Sequence, residues 1–274
     1  MLLFLLTPLN ASMTTGVNLG GWLLIEEWMF SFSMFDKVAE DADVPQGVVL
    51  PPVLADGFGQ NWFGEGDLVY KVVEGFGEDF AIDAIVQHRN TYITDIDIKD
   101  MIENHVTSIR LPVGWWAFTS ESKSSFEKVI TDPAHEKMKF VTITNKFLRE
   151  TIERFVDAGL DVLLDVHAFP GGSSQGSYSG IFPEEPMFWK DEGLQSSGLT
   201  IVQNLCDFYN TLDKDIKQGV TGITIMNEPA HGLSNEESLT MQSWLPKAID
   251  IYRQNVILKG NNSTIAPPKV RKEK

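Results

Sequence analysis

The chain has 274 residues, a formal net charge of −16 and a pI of about 4.7. Hydrophobic residues make up 43% and charged residues 22%, which is ordinary for a globular protein and argues against disorder over most of the chain. The acidic surface repels phosphate backbones and anionic membranes, so nucleic acid is not expected as a partner. A neutral ligand such as a sugar is compatible with this charge.

Residues 1–15 are apolar and then small and polar, which predicts the remnant of a signal peptide and an extracellular or cell-wall location. The segment has no positive charge at its start, and its apolar run is short for a signal sequence. No run of about 18 apolar residues occurs, so membrane insertion is not expected. The single cysteine, Cys206, lies in an apolar helical pattern, which favours a buried packing residue over a reactive thiol.

Four short apolar runs predict buried strands, at residues 15–26, 105–115, 160–169 and 219–228. Helical patterns lie between them. One begins at Thr94, with Asp97 three residues later as in a capping box, and another ends at Gly159, a favourable C-cap. Pro246 is expected to break or kink the helix that follows the fourth strand. The alternation of strand and helix predicts an α/β fold with a parallel sheet and crossover helices.

Two segments interrupt this alternation. Residues 35–78 are rich in glycine and proline, and residues 120–140 carry no clear period, so both are predicted to be long loop insertions. Long loops at one end of a sheet commonly build a binding site.

Ionisable residues occur at or just beyond the end of each predicted strand: Glu26, Arg110, His167 and Glu228. The carboxyl ends of the strands of a parallel barrel share one face, so these side chains are expected to converge on a pocket. Other interpretations stay open, since Glu26 could be a solvated strand end and Arg110 could simply neutralise nearby carboxylates. Asp165 and His167 suggest a metal pair, but no third ligand has a recognisable spacing, so no metal is predicted.

The triplet Asn227-Glu228-Pro229 is the most specific of these strand ends. Proline cannot continue a central ladder, so Pro229 should end the strand and leave Glu228 at its rim. A carboxylic acid in a partly apolar pocket can donate a proton near neutrality, and Asn227 can donate a hydrogen bond to a substrate hydroxyl. His231, in the loop that follows, is either a pocket-rim residue or an ordinary loop residue.

Four blocks read, in chain order, "GVNLGGWLLIEEW", "HRNTYITDIDIKDMIENHVTSIRLPVGWWAF", "DVHAFPGGSSQGSYSG" and "IMNEPA". Together they resemble the exo-β-1,3-glucanase branch of glycoside hydrolase family 5. They follow the order of that family and cover roughly residues 16–252 apart from the two insertions. The resemblance implies a (β/α)8 TIM-barrel fold and retaining hydrolysis of β-1,3-glucan, without a cofactor.

The same resemblance implies a role for individual residues. Glu228 matches the general acid/base. Substrate-binding roles fall on six residues, of which Trp115 stands where the family often has tyrosine and Tyr178 lies near an aromatic residue of the entrance: Glu26, Arg110, His167, Asn227, Trp115 and Tyr178.

Retaining hydrolysis also needs a second carboxylate, about 5–5.5 Å from the first, as the nucleophile. No glutamate after residue 228 ends an apolar strand: Glu236 and Glu237 begin a helical pattern, and Glu273 lies near the C-terminus. Too few residues follow Glu228 for four more βα units. The expectation is therefore an N-terminal half of the barrel with four to five βα units at residues 16–259, a tail at residues 260–274, and a chain that stops before the nucleophile.

Three functions compete at this point. The chain is a β-1,3-glucan hydrolase, a carbohydrate-binding or inactive relative that keeps the acid/base, or a related β-1,4-glucanase. The "GVNLGGW" block and the loop that begins "HAFPGG" favour the β-1,3 branch, with a β-glucan polysaccharide or oligosaccharide as partner.

Overall fold

The computed structural model describes residues 15–30, 62–229 and 233–257. The expected signal-peptide remnant (except residue 15), most of the first insertion, His231 and the predicted tail lie outside these ranges.

Six strands and seven α-helices occupy the described ranges. The strands are β1 (Gly16–Asn18), β2 (Ser108–Gly114), β3 (Val129–Thr131), β4 (Lys139–Val141), β5 (Asp161–Ala168) and β6 (Val220–Thr224). The helices are α1 (Glu65–Phe76), α2 (Glu78–Thr91), α3 (Asp95–Glu103), α4 (Asn145–Asp157), α5 (Glu192–Thr211), α6 (Lys214–Gly219) and α7 (Asn235–Tyr252), and a π-helical turn, Arg253–Ile257, follows α7.

The main sheet has the strand order β1-β2-β5-β6, and every neighbouring pair is parallel. Helices connect consecutive strands, as a parallel sheet requires. The register pairs Asn18 with Arg110, Leu111 with Leu164, and Leu164 with Ile223. This is the predicted α/β fold, a partial TIM-type barrel of about four βα units.

Two of the predicted strands are too long at their C-terminal ends. β1 stops at Asn18, because the chain turns at Gly20 and Gly21, and Gly21 has a φ of +69° that favours glycine. Glu26 therefore lies in a non-strand segment and not at a strand end. β6 stops at Thr224, four residues before Glu228. Arg110 is the third residue of β2, so it lies within that strand.

The predicted helix start at Thr94 and helix end at Gly159 are confirmed by the structure. Thr94 and Asp97 form the predicted capping box at the start of α3. Gly159 follows α4 with a φ of +85°. Cys206 is fully buried on α5, as predicted.

Pro246 does not break its helix, because α7 runs through it from Asn235 to Tyr252; the other predicted outcome, a kink, stays a prediction. Proline removes one backbone hydrogen bond, but packing holds this helix in place. Trp244 and Tyr252 are buried on either side of Pro246, and the Trp244 ring packs edge-on against Phe188 at 5.2 Å between centroids.

The insertions carry more regular structure than predicted. The second one contains the antiparallel ribbon β3–β4, which pairs Val129 with Val141. The described end of the first one contains all of α1. Among the helices described, none is long and apolar enough to span a bilayer.

Candidate active site

A closed ring of four polar side chains joins β2, β5 and the segment after β6. Arg110 Nη2 donates to Asn227 Oδ1 at 2.7 Å and pairs with Asp165 Oδ2 at 2.9 Å. The same Asp165 oxygen lies 2.5 Å from His167 Nδ1, and His167 Nε2 lies 3.3 Å from Asn227 Nδ2. If Nδ1 carries the proton of His167, Nε2 is left to accept from Asn227. The ring fixes the orientation of all four side chains.

The strand register explains why these residues meet. β2 and β5 pair Pro112 with Asp165, so Arg110, two residues before Pro112, points to the same side of the sheet as Asp165 and His167. The backbone N–H of Asn227 donates to Val166 O at 3.1 Å, which holds the chain after β6 beside β5. The sheet thus brings together three of the predicted site residues, Arg110, His167 and Asn227.

Asp165 is the central acceptor of the ring, and its side chain is completely buried. A buried carboxylate is costly unless it is paired and hydrogen-bonded. Arg110 and His167 both pair with Oδ2 of Asp165, whereas Oδ1 has no hydrogen-bond partner among the described residues. The sequence analysis names Asp165 only as half of a possible metal pair. The Asp-x-His spacing of Asp165 and His167 is the sequence signal for the hydrogen bond between them. In the part of the chain that the structure describes, no three His, Cys, Asp or Glu side chains are grouped as a metal site.

Glu26 belongs to the same site although it comes from the segment after β1. It is only 4% exposed, so the interpretation as a solvated strand end is wrong. Trp28 Nε1 donates to Glu26 Oε2 at 2.8 Å. Burial raises the pKa of Glu26 despite that hydrogen bond and the positive fields of His167 and Arg110, and the charge of Glu228 raises it further.

Glu228 lies at the rim of this ring in an unusual backbone conformation. Its φ is +39°, a left-handed value that is uncommon for residues other than glycine and is found preferentially at functional sites. Its side chain is exposed, whereas that of Asn227 beside it is buried. This differs from the partly apolar pocket expected for Glu228.

Tyr178 contacts the ring at His167 and is close to Glu228. Its aromatic ring meets His167 edge-on at 6.0 Å between centroids. Burial raises the pKa of the Tyr178 hydroxyl, and the neighbouring Glu228 carboxylate adds to the shift. Tyr178 is therefore a neighbour of both His167 and Glu228.

Trp115 is buried and packs edge-on against Trp116 and Phe140, at 6.3 and 5.7 Å between centroids. Its indole Nε1 has no hydrogen-bond partner among the described residues. The side chain forms part of the packed wall behind β2, and its contact with a substrate stays a prediction.

The loop after β5, which carries Tyr178, is braced by the ribbon insertion. Asp132 follows β3, and its Oδ2 accepts the backbone N–H of Gly171 at 2.8 Å. Its Oδ1 lies 2.9 Å from His135 Nδ1, and His135 Nε2 lies 3.0 Å from Glu185 O across the loop. The insertion therefore supports the entrance to the site, which sequence patterns did not indicate.

This brace predicts a pH-dependent stability. The hydrogen bond to Asp132 raises the pKa of His135, so protonated His135 stabilises the fold below the ordinary histidine pKa of about 6.5. That contribution is lost as the pH rises through the higher pKa of the folded state. We expect the free energy of unfolding of wild type to decrease over this range relative to His135→Gln, measured by urea denaturation from pH 5 to 9. Parallel pH profiles for the two proteins would contradict the brace.

The fold, a partial TIM-type barrel, is shared with solved structures of known proteins. Rutinosidase from Aspergillus niger superposes with a TM-score of 0.60 at 14% identity, covering 92% of this chain and 60% of the rutinosidase. The solved structure of AoRut gives a TM-score of 0.61 at 18% identity, covering 89% of this chain and 59% of AoRut. These likenesses establish the fold alone.

Curated relatives match most of this chain at low sequence identity. A glucan 1,3-beta-glucosidase of Lachancea kluyveri is 26% identical over 221 residues, which are 80% of this chain and 42% of that protein. A probable glucan 1,3-beta-glucosidase A of Aspergillus terreus is 28% identical over 248 residues, 89% of this chain and 48% of the relative. No family model matches the chain. The resemblance to the exo-β-1,3-glucanase branch of glycoside hydrolase family 5 is confirmed by these relatives, and the chain spans less than half of their length.

Proposed function

We propose that this chain carries the acid/base half of the active site of a retaining glycoside hydrolase that acts on β-1,3-glucan, with Glu228 as the general acid/base. The observation that carries the proposal is the hydrogen-bonded ring of Arg110, Asp165, His167 and Asn227 beside Glu228. The names of the curated relatives supply the linkage.

In the first step Glu228 gives its proton to the glycosidic oxygen as the bond to the anomeric carbon breaks. A carboxylate on the other face of the sugar forms a covalent ester with that carbon. In the second step Glu228 takes a proton from the water that hydrolyses the ester, which restores its protonated form. We assign the attacking carboxylate to no residue of this chain.

The ring prepares a rigid surface for the sugar. Asn227 lies next to Glu228 with its amide held by Arg110 and His167, so it can meet a sugar hydroxyl without first being ordered. Glu26, close enough to Arg110 and His167 to feel their charges, supplies a buried acceptor for hydroxyl groups. Trp115 and Tyr178 complete the proposed substrate contacts.

The substrate and location follow from the same chemistry. A neutral β-glucan suits a chain of net charge −16, because no charge opposes its approach. Proton transfer and a covalent sugar ester suffice for the reaction, so we propose no cofactor and no metal. We also propose an extracellular or cell-wall location, where such a glucan would be met.

One observation favours a second candidate, a non-catalytic carbohydrate-binding protein. An exposed Glu228 keeps its hydration, whereas a general acid usually works in a site from which water is excluded. Both candidates predict sugar binding, and they differ in whether Glu228 affects bond cleavage.

Binding of disaccharides tests the proposed substrate. We expect laminaribiose, which is β-1,3-linked, to bind about fivefold more tightly than β-1,4-linked cellobiose, because one well-placed hydrogen bond of about 1 kcal/mol gives that ratio. Titration followed by NMR or calorimetry gives the two Kd values, and His167→Ala should weaken both.

Glu78→Gln, an exposed change at the start of α2, serves as the matched control and should bind as the wild type does. Tighter binding of cellobiose would move the proposal to a β-1,4-glucanase. Absence of binding to either sugar would contradict the sugar site.

A further inference from the structure

The segment of residues 19–26 is buried without belonging to the sheet. Trp22, Leu23, Leu24 and Ile25 are each at most 1% exposed, yet the strand β1 ends at Asn18. Backbone groups that leave a sheet inside a protein need other partners. Here side chains of α1 and α2 provide them.

The end of this segment is bonded to Glu65, the first residue of α1. Glu65 Oε2 accepts the backbone N–H of Ile25 at 2.8 Å, one residue before Glu26. Glu65 is fully buried, and its other oxygen lies 3.4 Å from Arg89 Nη2. Arg89 in turn donates to Val141 O at 2.8 Å and Thr142 O at 2.9 Å, which ties the pair to β4.

The start of the segment is held by α2. His88 Nε2 lies 2.9 Å from Gly21 O, and Trp22 Nε1 donates to Arg89 O at 2.7 Å. The segment is thus fixed at Gly21 and Trp22 and again at Ile25. The remaining freedom at Glu26 is mostly that of its own side chain.

Stability alone does not account for a charged pair in this place. Burial raises the pKa of Glu65 to about 7 and lowers the pKa of Arg89, so desolvation outweighs their attraction. A buried ion pair can often be replaced by apolar residues of similar size at little cost in stability. An apolar pair, however, could not accept the N–H of Ile25.

We propose that Glu65 is a positioning residue for Glu26, and that its bond to the Ile25 N–H sets the place of the Glu26 carboxyl against the sugar-binding ring. This role rests on the proposed function, in which Glu26 binds the sugar. Arg89 acts through Glu65 by holding its carboxylate towards the segment.

The test compares three changes by NMR and by binding of laminaribiose. Glu65→Leu combined with Arg89→Met removes the acceptor for the Ile25 N–H and replaces the buried ion pair with apolar side chains of similar size. Glu65→Gln keeps an oxygen for the Ile25 N–H. Glu74→Gln, an exposed change on the same helix, is the matched control.

For the double variant we expect laminaribiose to bind at least about tenfold more weakly and the titration midpoint of the Glu26 carboxyl to shift. Glu65→Gln should stay within about threefold of wild type in Kd, and the control should be unchanged. A merely structural role would lower the melting temperature and leave the Glu26 titration where it is. An unchanged Kd and an unchanged Glu26 titration in a folded double variant would overturn the proposal.

Two further readouts keep the outcome decisive. If the double variant does not fold, the backbone amide of Ile25 provides the test. Its chemical shift should change with pH near 7 in wild type and should not do so in Glu65→Gln. A wild-type chemical shift that does not change with pH overturns the proposal. If the wild type binds no laminaribiose, the proposed function fails, while the Glu26 titration still judges the positioning role.

Discussion

Replacing Glu228 with glutamine should lower the rate of laminaribiose hydrolysis about 10²–10⁴-fold, the usual contribution of a general acid. The assay uses a chimera in which residues 15–257 replace the matching segment of a full-length glucan 1,3-beta-glucosidase. Glutamine keeps the shape of Glu228 and removes the proton that the leaving oxygen needs. Initial rates at saturating and limiting substrate give kcat and kcat/KM.

The control for this experiment is Glu237→Gln, a second glutamate of the same region that caps α7 at Ser234. It should hydrolyse laminaribiose at the rate of the unsubstituted chimera. Turnover that is unchanged in Glu228→Gln would leave the chain with the carbohydrate-binding role alone.

Replacing Asp165 with alanine should lower the free energy of unfolding by about 3 kcal/mol, because it leaves buried polar partners without their shared acceptor. Arg110 would lose its ion pair and His167 its hydrogen bond at Nδ1. Urea denaturation followed by circular dichroism measures the change, with m-values compared to confirm that both proteins unfold in the same way.

Asp165→Asn provides the comparison, since an amide oxygen can still accept from one partner. We expect its loss of stability to be smaller than that of Asp165→Ala. A decrease below about 0.5 kcal/mol for the alanine variant, the range of ordinary surface substitutions, would show that the ring does not contribute to the fold.

The order of the elements could be predicted from the sequence, but two of the site's strand boundaries could not. Apolar runs within residues 15–26 and 219–228 indicate burial, and most of their apolar side chains are buried. Such a run does not separate a strand from a buried turn. The turn at Gly20 and Gly21 and the left-handed backbone at Glu228 decide where β1 and β6 end.

Local patterns single out Arg110, His167 and Asn227 but not the contacts between them. The structure places these three side chains in one hydrogen-bonded ring, and their roles stay predictions. Asp165 joins Arg110 to His167. Arg110 and Asp165 are far apart in the sequence, and their contact is set by the register between β2 and β5, which local patterns do not reveal. Local patterns did not identify Glu65 and Arg89, because Glu65 binds the N–H of Ile25, which lies in another part of the chain.

The exposure of Glu228 shows a second limit of sequence reasoning. An acid that follows an apolar run predicts a position at the rim of a sheet, whereas the structure places Glu228 four residues beyond the end of β6. The solvent exposure of the Glu228 side chain depends on which other segments cover the face of the barrel, and no local sequence pattern specifies that.

The most direct measurement compares two leaving groups in the Glu228→Gln chimera. A glucosyl leaving group needs a proton as it departs, whereas a dinitrophenolate leaves without one. We predict that kcat/KM falls about 10²–10⁴-fold for laminaribiose and stays near the unsubstituted value for dinitrophenyl β-glucoside. Equal losses on both substrates, or no loss on either, would contradict proton donation by Glu228.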